Sequence, residues 1–409
     1  MTARPVHLVV GGGLAGATAA VGLREAGFDG RIVLVGEEPG EPYERPPLSK
    51  EYLRGERDGD AVLVHPPAAY ADAGVELLAG TRVVAVDPAA GVAVLDGGER
   101  LRWDRLLLAT GSSARRLPVP GADLDGVHHL RTLADADALA AGLRGAGRVV
   151  VVGAGWIGTE VAASARALGR DVVVVAPDDV PLQRVLGVEL GAVFRDLHAE
   201  HGVDLRLGTG VDAVVGTGSV EGVRLGDGTV VEADLVVAGV GAVPRTELAE
   251  AAGLAVDRGG VVVDAHLRAS APGVFAAGDI ASAWHAHYRR HVRLEHWANA
   301  RHQGAAAARS MLGAGEPYDR LPYFFTDQYD LGMELSGDPT GAARVVVRGD
   351  VAERRFVAFW LDGEDRVLAA MNVNVWDVVD GLQALIRSGR PATTADLDAA
   401  LTAGGRPVG

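Results

Sequence analysis

Val6-His7-Leu8-Val9-Val10, followed without a break by Gly11-Gly12-Gly13-Leu14-Ala15-Gly16, reads as a strand that runs into a glycine turn. An Ala-rich helix closing at Gly27 and a second strand over 32–35 complete a βαβ unit. The same order returns later: a strand over 149–152, then Gly153-Ala154-Gly155-Trp156-Ile157-Gly158, a helix through Leu168 ended by Gly169, and a strand over 172–175. In such a unit the first glycine makes the tight turn and the second lets backbone approach a pyrophosphate. The third lets the helix pack on the strand, and the anion sits on the helix N-terminus. Gly11, Gly13 and Gly16, with Leu14 and Ala15 in the same turn, are therefore candidate dinucleotide contacts; Gly153, Gly155 and Gly158, with Ile157, repeat them. One G-x-G-x-x-G is a weak sign. Here each copy follows a strand, opens a helix and has an alanine, Ala20 or Ala162, four residues past its last glycine. Glu37, 21 residues beyond Gly16, stands at the end of the second strand, where a carboxylate accepts the hydroxyls of an adenosine ribose. The competing reading is a solvated acidic turn shared with Glu38 and Glu41.

Between and after these units lie Val-rich segments with Asp-Gly or Gly-Gly turns, over 91–101 and 222–235, which read as β-meanders. From about Leu321 the texture changes to aromatic and β-branched strands over 323–326, 344–348, 355–361 and 367–375. One amphipathic helix follows, with Val375, Val379, Leu382 and Ile386 on one side and a stop at Gly389 before Pro391. This end reads as a separate α+β domain.

Composition narrows the function. The chain has 409 residues and is 48% apolar, enough for several cores, but its apolar runs are too short for the ~20 residues of a membrane-spanning helix. A strand begins close to the first residue in place of a charged-then-apolar leader, which points to the cytoplasm. There is no cysteine, so the chain itself has no disulfide, thiolate metal site or thiol intermediate. The net charge of −15 opposes binding to nucleic acid or to an anionic membrane. Of 39 basic side chains one alone, Lys50, is lysine. Lysine offers a compact titratable amine where arginine offers a permanently charged fork, so a chain that otherwise avoids lysine has either kept one by chance or needs an amine there.

Seven segments in order are similar to one family: Glu44-Arg45-Pro46-Pro47-Leu48-Ser49-Lys50, Ala109-Thr110-Gly111, Gly239-Val240-Gly241-Ala242-Val243-Pro244, Ala276-Ala277-Gly278-Asp279, Arg293-Leu294-Glu295, Asn299-Ala300 and Asp327-Gln328. Through them the chain resembles the FAD-dependent ferredoxin and rubredoxin reductases of bacterial oxygenase systems, relatives of the apoptosis-inducing flavoproteins. The resemblance implies an α/β fold with two Rossmann-like dinucleotide-binding domains in a glutathione-reductase-like arrangement and a C-terminal α+β domain. The FAD domain would be discontinuous, 1–112 and 245–320, the NAD(P) domain 113–244 and the C-terminal domain 321–409. By position, Asp279 would hold the flavin ribityl chain, with Arg45, Val83, Arg131 and Trp297 as further FAD contacts, and Glu295, Gly278, Ala109, Thr110, Gly111 and Gly241 would be further cofactor-binding residues. Val83 also reads as an ordinary strand residue. Lys50 would stand beside flavin N5 and pair with Glu160 as the catalytic pair, the ammonium stabilising negative charge on reduced flavin. The implied reaction is hydride transfer from nicotinamide C4 to flavin N5 and two single-electron transfers to an iron–sulfur acceptor.

The missing cysteine separates this reading from disulfide relays of the same fold, and the acidic face of the C-terminal helix, with Asp377 and Asp380, does not suit a membrane anchor. The expected partner is a [2Fe–2S] ferredoxin, for which the segment 285–302, with Arg289, Arg290, Arg293 and Arg301, is the candidate docking rim; an incidental Arg cluster in a solvated loop is the alternative. His285 and His287 lack further ligands in a zinc pattern, and no metal is expected. The chain departs from the family at Ala176, where the second unit's ribose-binding carboxylate usually stands, with Asp178 and Asp179 just beyond and no Arg before Arg184; NADH is expected, with NADPH open. Phe325 replaces a frequent tryptophan. Two other readings stay open: a reductase of rubredoxin, quinone or another small acceptor, and a redox-sensing flavoprotein of the apoptosis-inducing type. Oligomeric state is not legible.

Overall fold

The computed structural model describes residues 4–400, so the outermost ends of the expected first and last domains, 1–3 and 401–409, lie outside the described residues. The chain forms two compact units. The first comprises the described residues up to Glu44 with Gly59–Ser113 and Val243–Arg320; the second comprises Arg45–Asp58, Ala114–Ala242 and the described residues from Leu321.

In the first unit Val6–Val10 is the middle of a five-stranded parallel sheet, ordered Val274–Ala276, Arg105–Leu108, Val6–Val10, Arg31–Val35, Val75–Leu78. Leu8, Val9, Ile32, Leu34, Leu106 and Leu107 are fully buried in it, the run of apolar residues without alternation that a parallel sheet covered on both faces requires. The fingerprint helix Leu14–Glu25 packs on Trp297–Met311. Their approach is close enough that a Cβ on Gly304 would stand 2.4 Å from the Ala15 carbonyl oxygen, which is why small residues line both helices. The expected first meander is present as Val83–Asp87, Val92–Leu95 and Arg100–Arg102.

The second unit repeats the plan, with strands Asp204–Leu207, Asp171–Ala176, Arg148–Val152, Leu235–Ala238 and Val127–His128 in a parallel sheet. The duplication extends beyond the glycines. Arg24, in the last turn of the first fingerprint helix, donates to the carbonyls of Phe28 and Ala73; Arg166, at the same place in the second helix Trp156–Ala167, donates to those of Arg170 and His201. Each guanidinium thus ties the helix C-terminus to the following turn, where a cation also suits the helix dipole.

The same unit holds a five-stranded antiparallel sheet, ordered Tyr323–Gln328, Leu331–Gly337, Val367–Val373, Arg355–Leu361, Arg344–Asp350. Leu331–Gly337 is a strand that the pattern reading did not include. One face of this sheet, with Met333, Phe356 and Trp360, shares a core with Leu186, Leu190 and Phe194 of the long helix Gln183–Glu200. Val379–Ser388 packs on Leu331–Gly337 and Val367–Val373, burying Leu382, Leu385 and Ile386, and ends at Gly389 in the left-handed region. Val375 precedes this helix, and Val379 is only half-buried. No helix among the described residues is long and apolar enough to cross a membrane.

Candidate functional site

Both fingerprints have the geometry their glycines predict. Gly11 and Gly153 have φ of 121° and 105°, and a Cβ there would run into the carbonyl oxygens of Ala109 and Gly239 at 2.1 and 2.4 Å. Gly16 and Gly158 admit no side chain either, since a Cβ would lie 1.9 and 2.0 Å from the Gly11 and Gly153 oxygens. The middle glycines differ: a Cβ on Gly13 or Gly155 would meet nothing within 4 Å. Each middle glycine is also the N-cap of its helix, and no side chain caps either end. Open space in front of unclaimed helix N–H groups suits a pyrophosphate, and it occurs once in each unit. Ile157, in the first turn of the second helix, is 42% exposed.

In the first unit Ala109-Thr110-Gly111 passes beneath Gly11, with Ala109 N–H on the Val10 carbonyl and the Thr110 hydroxyl on the Arg245 carbonyl at 2.7 Å. Glu37 stands at the end of its strand but is ion-paired with Arg245 at 2.6 Å, a cation the sequence reading did not connect to it. Gly278, at φ 79°, gives its N–H to Gln303 at 2.9 Å and comes up against Ala15, so Trp297–Met311 fixes the turn that carries buried Asp279. Arg293 bridges the Asp279 carbonyl at 3.2 Å and the Glu295 carboxylate at 2.6 Å. Trp297 opens the helix, and the side chain of Val83 belongs to the hydrophobic core. Within the expected docking segment, Arg289 and Arg301 are exposed, Arg301 lying over the Trp297 ring and Arg290 over Tyr288. Buried His285 faces the Arg320 carbonyl through Nε2.

The second unit brings Lys50 and Glu160 together. Pro46 and Pro47, which have no N–H to satisfy, start the turn Pro46–Ser49, and Lys50 follows it. Its Nζ lies 2.8 Å from Glu160 Oε2 and 3.2 Å from the Pro46 carbonyl, with side-chain exposures of 8% for Lys50 and 4% for Glu160. Buried charge is tolerated where it is paired and its remaining hydrogen-bond capacity is met. Here Ser49 donates to Glu160 Oε2, and Thr326 donates to Oε1 at 2.6 Å. The Phe325 ring lies 6.0 Å from Nζ. Behind Thr326 stand Gln328, Thr159 and His198, all buried, and none was singled out for this role from the sequence. Burial holds the His198 imidazole down to about 4, so it is neutral. Arg45 donates to the Arg131 carbonyl. Gly241, at φ 103°, accepts from the Arg115 N–H. Ala176 is buried at its strand end, while Asp178 pairs with Arg184 at 3.3 Å.

Comparison with known proteins places the whole chain among reductases of this architecture. Residues 6–304 match the pyridine nucleotide-disulphide oxidoreductase family, and residues 323–402 match the reductase C-terminal family. The chain is 42% identical over 368 residues to rhodocoxin reductase of Rhodococcus erythropolis, covering 90% of this chain and 86% of that protein. It is 40% identical over 380 residues to putidaredoxin reductase of Pseudomonas putida, covering 91% and 90%. The crystal structure of the covalent putidaredoxin reductase–putidaredoxin complex superposes with a TM-score of 0.92 at 38% identity, covering 96% of this chain and 95% of the other.

Proposed function

This chain belongs to the pyridine nucleotide-disulphide oxidoreductase family, an α/β oxidoreductase family of FAD and NAD(P)H, and from that premise we propose that it is an NAD(P)H-dependent ferredoxin reductase serving an oxygenase. The observation that carries the proposal is the buried pairing of Glu160 with Lys50, the chain's single lysine, in a chain that has two open dinucleotide fingerprints and no cysteine to relay electrons. FAD, when bound, supplies acceptance of a hydride and release of electrons one at a time. The chain's own residues bind and orient. In the first unit the Gly11–Gly16 turn would hold the pyrophosphate, Glu37 the adenosine ribose and Asp279 the ribityl chain. The Gly153–Gly158 turn would hold the nicotinamide dinucleotide in the same way. Arg45, Arg131, Glu295, Trp297 and the backbone of Ala109-Thr110-Gly111 complete the flavin contacts in this proposal, with Gly241 and Ile157 on the nicotinamide side. Lys50 would place a fixed positive charge where negative charge develops on the reduced ring, and Glu160 would keep that ammonium aimed.

NADH is the proposed donor, because the only cation near the end of the second strand that the sequence offered, Arg184, is already paired with Asp178 and gives no free clamp for a 2′-phosphate. The proposed acceptor is a [2Fe–2S] ferredoxin. Exposed Arg289 and Arg301 support docking at that rim, whereas Arg293 is engaged with Glu295. A cytoplasmic location, where NAD(P)H is held, is part of the same proposal. The test is rapid mixing of the yellow protein with NADH or NADPH, then cytochrome c reduction with and without a [2Fe–2S] ferredoxin. Fast bleaching by NADH and ferredoxin-dependent cytochrome reduction are expected; slow bleaching with no acceptor able to reoxidise the protein would overturn the reductase reading. In the same assay Lys50→Ala should keep FAD but bleach more slowly.

A further inference from the structure

Behind the Lys50–Glu160 pair, the hydrogen-bonding chain of the second unit has one permitted direction. The Thr159 hydroxyl spends its proton on the carbonyls of Gly155 and Trp156, at 3.1 and 3.0 Å, and so must accept from the Gln328 amide nitrogen at 3.0 Å. That fixes the orientation of the amide. Its other N–H goes to Thr326 Oγ1 at 3.2 Å, which leaves the Thr326 proton for Glu160 Oε1 at 2.6 Å. Gln328 Oε1 then faces His198 Nε2 at 2.9 Å, so Nε2 carries the imidazole proton and Nδ1 is left to face the Tyr329 hydroxyl at 3.4 Å. Every dipole from His198 to Thr326 therefore points at the carboxylate that holds Lys50. Thr326 and Gln328 sit two apart on Tyr323–Gln328, so both side chains leave the same face of that strand, together with Phe324, whose ring lies 4.3 Å from Trp156.

We propose that Thr326, oriented by Gln328, is a positioning residue for the Glu160–Lys50 pair: the first strand of the C-terminal sheet sets where the ammonium points and thereby the rate of flavin reduction. The structural half stands on the hydrogen bonds alone; the kinetic half rests on the role proposed above for Lys50. A buried carboxylate that loses one donor turns toward its remaining partners, and a displacement of about 1 Å at a reacting group lowers rates by up to about a hundredfold.

Because the chain has one lysine, protein grown with ¹⁵N/¹³C-lysine shows a single side-chain ammonium, that of Lys50, with no need for assignment among neighbours. The experiment uses the full FAD-loaded chain as wild type, Thr326→Val, Thr326→Ser and Gln328→Met. Wild type and Thr326→Ser should show a sharp ammonium signal protected from exchange with water. Thr326→Val should lose that protection and bleach about tenfold to a hundredfold more slowly with NADH, with KM changed less than about twofold. Gln328→Met should show the same loss of protection in smaller degree. Wild-type protection of the ammonium in Thr326→Val would overturn the positioning role, as would failure of Thr326→Ser to restore it. Lost protection with unchanged bleaching would overturn the kinetic half. If Lys50→Ala also bleaches normally, the fault lies with the proposed role of Lys50 and not with the positioning by Thr326. Should Thr326→Val fail to fold, Gln328→Met carries the same test, with wild-type protection of the ammonium as the overturning result.

Discussion

Removing Glu160 alone should cost more than removing both members of the Lys50–Glu160 pair. At 2.8 Å the pair's Coulomb attraction is about 6 kcal/mol at an effective dielectric constant of ~20, most of it offset by the desolvation of two groups that are 8% and 4% exposed. In Glu160→Gln the carboxamide can accept from only one of the Ser49 and Thr326 hydroxyls, and the ammonium loses its ion-pair partner, keeping the Pro46 carbonyl at 3.2 Å and only the Asp327 carboxylate in its field. The expected loss is about 3–5 kcal/mol. In Lys50→Met the carboxylate keeps both hydroxyl donors, so the loss should be smaller, about 2 kcal/mol. The double variant strands neither member of the pair and should fall within about 1 kcal/mol of Lys50→Met alone, a coupling of about 4 kcal/mol. Calorimetry of the FAD-loaded chain reads this directly, at roughly 2–4 °C per kcal/mol for a body of this size, so Glu160→Gln should melt about 10 °C low and the double variant should recover about half of that. Two losses that simply add, or a double variant worse than either single one, would refute the claim that the two charges hold each other.

His7, stacked on Phe28 at 3.8 Å, and His198 are both held down by burial to about 4 from an ordinary 6.5. The unfolded chain therefore binds these protons first: stability is fully present above about pH 6.5 and is lost as pH falls toward 4, by up to about 3 kcal/mol for each histidine. Urea midpoints taken across that window should fall with acid, and His7→Leu should flatten the part of the fall that belongs to the first unit. Gly155→Val should leave the fold and FAD content intact, since Gly155 has φ of −80° and open space at its Cβ, yet cost at least about thirtyfold in nicotinamide affinity by titration. Gly158→Val, whose Cβ would lie 2.0 Å from a carbonyl oxygen, should instead lower the melting temperature. Asp279→Ala should elute with less flavin, its FAD dissociation constant raised about tenfold to a hundredfold; a fully flavinated variant of normal stability counts against that contact.

The two fingerprints were legible because their demands are local: a glycine either fits the backbone at φ 121° or nothing does, and the consequence lies within a few residues of the cause. Lys50 was legible from composition. Thr326 was not, because its partner Glu160 lies 166 positions away and a threonine in a β-branched strand looks like any other. Leu331–Gly337 went unread for a related reason. It is covered on both faces, with Glu334 alone only partly buried, so the alternation that marks a strand on a half-exposed sheet is absent. Its glycines look like turns but answer to neighbours: a Cβ on Gly332 would lie 2.5 Å from the Trp376 ring. The paired arginines Arg24 and Arg166 did leave a signal, since each stands eight residues beyond the last glycine of its fingerprint, but it shows only when the two copies are aligned on each other.

Why the one amine of an arginine-rich chain should be at this position follows from counting donors. A lysine ammonium has three N–H bonds and a guanidinium five. Among the described residues, Lys50 Nζ finds two acceptors, Glu160 Oε2 and the Pro46 carbonyl, inside a pocket that leaves 8% of the side chain exposed. An ammonium there is left with one N–H to direct at whatever meets its exposed edge. A guanidinium at the same place would bury N–H groups with no acceptor, at about 1–3 kcal/mol each, or would swing its plane out and leave Glu160. The spare N–H and the buried carboxylate behind it are the two properties that a fixed positive charge aimed at a ligand requires. The hydroxyls of Ser49 and Thr326 hold that carboxylate in place from both of its oxygens, so the aim of the ammonium is set by residues from three separate stretches of the chain.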